Sequence, residues 1–270
     1  MLGKLFKNEF KSSAHSILNI YLAAVITIGV MLLSYVVKIK WISTLSTIAL
    51  LLIGGLAIII TVVAVISNFY KSLYGAQGYL SFTLPVKSGH LLLSKAAVSF
   101  AWILLSYIIF LGIIIGVYFY SAAMVGQNTI ETVKTLVVMF GLQGEQSIKE
   151  LLVLAGVMVF VQIAVFIAEV YFSITLANTR VFQKIGMVSA IFIFFAVFIV
   201  MQILVFLLTS YVPVTLVATA EGLQFSFEGN MLDRAGEITM GVAGFVFEVL
   251  AAAGLFAATA RLMKTKINVK

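Results

Sequence analysis

Six stretches of this chain each exceed the ~20 helical residues needed to cross a hydrocarbon core of ~30 Å. They are residues 17–37, 45–67, 97–120, 151–176, 186–209 and 238–260. No soluble fold hides six such runs. With 63% of its 270 residues hydrophobic, the chain is well above the ~45–50% of a soluble domain. The excess must face lipid. Helix is the expected form, because an isolated strand leaves its backbone groups unpaired in lipid and the period-two alternation of a barrel is missing. The expected fold class is an all-α integral membrane protein with six transmembrane helices. Residues 1–270 read as a single membrane domain with no soluble domain attached.

Orientation follows from the basic residues. With the N-terminus inside, only Lys38, Lys40, Lys134, Lys149 and Arg234 fall outside; the other twelve of the 17 fall inside. Seven of the 10 acidic residues lie in outer segments, and Glu9 is the one acid of the inner segments. The expectation is N-in and C-in. Charge placed beside spans accounts for the net +7 without nucleic acid as a partner. Trp41 and Trp102 suit interfacial belts. Cysteine is absent, which excludes disulfides and thiolate chemistry.

Residues 1–16 place Leu2, Leu5, Phe6 and Phe10 at helical spacing, with Lys4, Lys7 and Lys11 largely on another side. They read as a short amphipathic helix in the interface, its lysines near lipid headgroups, or as a basic flank to the first span. The apolar run that follows is too long for a signal-peptide core, so no cleaved leader is expected. On the outer side, 127–141 predicts a helix lying on the leaflet. Residues 210–237 open with Pro213 and an apolar stretch at 212–220 too short to span. This predicts a re-entrant or interfacial helix, or a packed external loop.

Motifs for chemistry are few. There is no G-x-x-x-x-G-K-[ST], no H-E-x-x-H and no C-x-x-C, so no catalytic or metal residue is assigned. Two carboxylates, Glu169 and Glu248, fall inside spans, where a charge costs ~2.5–3.5 kcal/mol on insertion scales. They either line a path or form a hydrogen bond that pins two helices. Gln162 and Gln202 are weaker members of the same class. Gly112 and Gly116 form a G-x-x-x-G that allows close helix approach, read as internal packing.

The longest inner segment, 68–96, has Lys71, Lys87, Lys95 and His90 but no acid, and is cut by Gly75, Gly78, Pro85 and Gly89. A short helix over 70–81, a break at Pro85 and a second helix capped by Ser88 make a compact cytoplasmic loop. It reads as a docking element for a soluble partner.

The stretch YGAQGYLSFTLPVKSGHLLLSK resembles the first cytoplasmic loop of ABC-2 type permeases, the membrane subunits of ATP-binding-cassette exporters. The matching residues are Tyr74, Gly78, Leu80, Leu84, Pro85 and Lys95. The basic entry segment and six-span layout are also similar. Family members often carry acids before that glycine; here Ala76 and Gln77 stand there. The resemblance implies a coupling helix within 71–85 that docks on a separate ABC ATPase subunit, through Lys71, Tyr74, Gln77, Gly78, Tyr79, Leu80 and Pro85. It also implies a second permease copy or paralogue around a central path, and ATP and magnesium on the ATPase, with no cofactor on this chain. The setting is the cell membrane, as in a bacterial plasma membrane. The competing readings are a membrane scaffold or immunity-type protein without an ATPase, and an ion-coupled carrier using Glu169 and Glu248.

Overall fold

The computed structural model describes residues 2–37, 40–75, 88–126, 128, 145–179, 182, 187–219, 222–229, 231–232 and 239–265. The chain forms two compact units, residues 1–132 and 133–269. Five helices among the described residues are long and apolar enough to cross a membrane, and a sixth apolar stretch, Ile17–Leu33, is shorter. The chain is therefore a helical, multi-pass membrane protein.

The first unit is a bundle of three helices, α1 (Leu2–Val37), α2 (Lys40–Leu73) and α3 (Ser88–Val125), each packed on the other two. Each has at least 34 residues, so each is about 50 Å long or more at ~1.5 Å per residue. That exceeds the ~30 Å core by several turns.

The separate interfacial helix expected at 1–16 is instead the first part of α1, continuous with the apolar stretch. Two contacts hold it to the bundle. Glu9 forms an ion pair with Lys95 of α3, and the ring of Phe10 stacks on Trp102 with centroids 4.4 Å apart. Trp102 is thus a buried side chain, 2% exposed, and not part of an interfacial belt. Trp41, at 70% exposed, does suit one.

Asn68 to Leu73, expected in the loop, complete α2. Phe69 and Leu73 are buried there, and no helix breaker precedes Gly75. Further along the bundle, the Ser106 hydroxyl is shared by Tyr21 at 2.6 Å and Thr61 at 2.8 Å, joining all three helices. Gly54 admits the ring of Phe110; a Cβ there would lie 2.9 Å from it. Gly112 and Gly116 face open space instead, so their G-x-x-x-G makes no close contact inside this unit.

The second unit has three helices, α4 (Glu145–Ala177), α5 (Met187–Tyr211) and α6 (Val242–Thr265). Between α5 and α6 lies a three-stranded antiparallel sheet of order β2-β1-β3: β1 (Thr215–Thr219), β2 (Gly222–Ser226) and β3 (Thr239–Gly241). This corrects the re-entrant or interfacial helix expected in 210–237, and also the sixth span, whose first residues are strand. The reason lies in the side chains. Val212, Val214, Thr215, Val217 and Thr219 are β-branched and favour a pleated surface over a helix. In the register, Thr215 pairs with Ser226 on one side and Gly241 on the other.

The hairpin is fastened to α4. The backbone N–H of Leu223 donates to the Glu150 carboxylate at 2.6 Å. Gly222 beside it has φ +129°, a conformation that favours glycine, and its missing Cβ leaves room for that carboxylate. The outer-leaflet helix expected at 127–141 lies outside the described residues.

Candidate functional site

Helical spacing brings one face of each helix of the second unit to a common space. Leu151, Leu154, Met158 and Gln162 recur along one side of α4; Gln202, Val205 and Thr209 do so along α5; Phe245 and Glu248 are one turn apart on α6. Together with Leu216 of β1, Leu223 of β2 and Met240 of β3 they line a cavity of about 480 Å³. That volume lies within the ~300–1,000 Å³ of small-molecule sites. The sheet forms one end of it.

The polar residues cluster by Glu248. The Gln162 amide nitrogen donates to both Glu248 oxygens, at 2.7 and 2.8 Å. Sequence reading weighed path lining against helix pinning for these groups. Glu248 and Gln162 tie α4 to α6, and both border the cavity. Gln202 lines it from α5. Glu248 itself is 7% exposed.

Glu169, the fourth of the expected polar residues, does not line this cavity. It sits two turns beyond Gln162 on α4 and is 2% exposed. Its Oε1 is buried with no hydrogen-bond partner. Val165, Ala168, Met201 and Ala252 form an apolar cluster around this level of the helices. Arg180 and Lys184, which follow α4 in the sequence, lie outside the described residues. A second cavity of about 730 Å³ between α4 and α6 includes Phe172, Ala258 and Arg261.

Close backbone approach holds α5 and α6 together. A Cβ on Gly241 would lie 2.8 Å from the Thr209 backbone oxygen, and one on Gly244 would overlap the Thr209 hydroxyl.

Of the expected docking residues, two are described. Lys71 lies exposed in the last turn of α2. Tyr74 follows it, its N–H donating to the Tyr70 carbonyl at 2.8 Å and its ring set edge-on to Phe69 at 6.1 Å. Gln77, Gly78, Tyr79, Leu80 and Pro85 lie outside the described residues.

At this same end of the first unit is a polar cluster that sequence reading missed. Glu9 pairs with Lys95 and accepts from the Asn68 amide at 3.3 Å, linking α1, α3 and α2. Lys95 is 4% exposed. The available signal was Glu9 itself, a lone acid in a basic segment. Among the described residues no three or more His, Cys, Asp or Glu side chains come together as metal ligands would.

A scan of protein-family models, a search of curated proteins and a search of solved structures each found no match to this chain.

Proposed function

We propose that this chain is the membrane-spanning permease subunit of an ABC exporter, with six crossings, both termini inside, and a separate ATPase beneath it. The observation that carries the reading is the cavity of the second unit. A space bordered by Glu248, Gln162 and Gln202 lies among helices apolar enough to cross a membrane. Of these three Glu248 is buried, and a buried carboxylate among membrane-spanning helices is costly and supports a substrate path. The first unit supports the same reading. Helices α2 and α3 run past the membrane thickness toward the loop whose sequence resembles the ABC-2 coupling segment. The Glu9, Lys95 and Asn68 cluster ties that end of the bundle into one body. A push on the loop then moves three helices together. The chain hydrolyses nothing in this scheme; ATP and magnesium belong to the partner.

A second reading rests on Glu169, whose orphan oxygen suits an ion-coupled carrier. Purification from the native membrane in mild detergent, with mass spectrometry of what accompanies the chain, separates the two. The permease reading expects a stoichiometric P-loop ATPase. In the same assay, Tyr79→Asp or Leu80→Asp should cut ATPase recovery at least about tenfold, or ~1.4 kcal/mol, with the thermal transition unchanged. Normal ATPase recovery in both variants would overturn the docking assignment. A chain that emerges alone would favour the carrier.

A further inference from the structure

We propose that the cavity of the second unit binds a lipophilic cation: an apolar body carrying one positive charge, with Glu248 as its counter-charge. The inference rests on the reading of this cavity as part of a transport path only for its physiological meaning, since binding itself needs no ATPase.

Three observations carry it. The first is charge. Among the described residues Glu248 is the one ionisable side chain bordering the cavity, and no lysine or arginine lines it; Arg261 belongs to the other cavity. Gln162 supplies the described hydrogen bonds to Glu248, from a single amide nitrogen. A carboxylate has about four acceptor positions, and one –NH₂ fills at most two. Acceptor positions of Glu248 therefore stay open toward a cation that enters.

The second is the aromatic wall. Phe245 stands one turn before Glu248 on α6 and lines the same space. An aromatic side chain and a carboxylate lining one space suit a desolvated cation.

The third is the remaining surface. Met158, Met231 and Met240 all border the cavity. Their unbranched thioethers adapt to apolar bodies of varied shape. A small inorganic ion would need several convergent oxygens at short range. The lining offers one carboxylate and mostly hydrocarbon, which suits a bulky organic cation.

The test uses the full chain in phosphatidylcholine nanodiscs and radiolabelled tetraphenylphosphonium, with tetraphenylborate as the anion of the same shape. The wild type should bind the phosphonium saturably and the borate only by unsaturable partitioning. Glu248→Gln, which keeps an amide partner for Gln162, should weaken phosphonium binding about tenfold or more. Leu216→Trp, which fills the cavity and leaves the charge, should weaken it too. Saturable phosphonium binding that is unchanged in Glu248→Gln would overturn the proposal, as would equal binding of cation and anion, or no saturable binding by the wild type. A negative result here leaves ATPase co-purification untouched, so this inference and the permease reading fail separately.

Discussion

In the first unit, polar side chains meet across helices: Ser106 serves both Tyr21 and Thr61, and Glu9 serves both Lys95 and Asn68. In the second unit, Glu248 has one described side-chain partner, Gln162, and Glu169 leaves an oxygen buried without one. The apolar spaces differ likewise. The first unit has a cavity lined by Met31, Leu50, Ile113 and other apolar residues, with Tyr120 at one side. The second unit's cavity runs down to a carboxylate. Buried polar groups in native proteins are nearly all satisfied, so an exception needs a reason. The contrast is what a stiff brace in the first unit and the proposed ligand site in the second would produce.

Three substitutions test that contrast. The largest effect belongs to Lys95→Ala. It strands Glu9 among packed helices and should cost on the order of 3 kcal/mol in equilibrium unfolding, the lower end for a buried pair because Glu9 keeps some exposure. Glu9→Gln combined with Lys95→Met should recover most of it. A loss below ~1 kcal/mol, the range of a surface pair, would remove the brace from the comparison.

Next is Gly241→Ala in the second unit. The added methyl meets Thr209 backbone atoms that cannot swing aside, and about 2 kcal/mol should be lost. Gly112→Ala in the first unit meets open space and should gain up to ~1 kcal/mol of helix propensity. Thermal unfolding of the two variants side by side shows whether the Gly241 contact with α5 is as tight, and the Gly112 position as open, as described.

The smallest effect has the opposite sign. Glu169→Met replaces a carboxyl that has an unpartnered buried oxygen by a side chain of similar length and should stabilise the protein by about 1 kcal/mol. Destabilisation would mean that Glu169 is satisfied in the membrane, and the contrast between the units would narrow.

Sequence reading reached the helices because apolar length is a one-dimensional quantity, visible without knowing any partner. It also reached Gln162, Gln202 and Glu248, since polar groups within apolar runs stand out on cost alone. It reached neither the Glu9–Lys95 pair nor the burial of Trp102. Both depend on residues 86 or more positions apart and on how α1 packs against α3. The hairpin at Thr215–Ser226 was misread for a different reason. Length ruled out a span, and a short helix was then preferred over a strand, although β-branched residues fill 212–219. In a chain rich in membrane helices, nine apolar residues are still long enough for a strand.

Glu9 and Lys95 are separated by 86 residues, and a ribosome adds ~5–20 residues per second. During synthesis the start of α1 is therefore made roughly 4–17 s before its charge partner exists. For that interval the Asn68 amide of α2, made earlier, is the described side-chain partner that Glu9 can meet. The ion pair that ties the first helix to the third closes only when the third has been delivered.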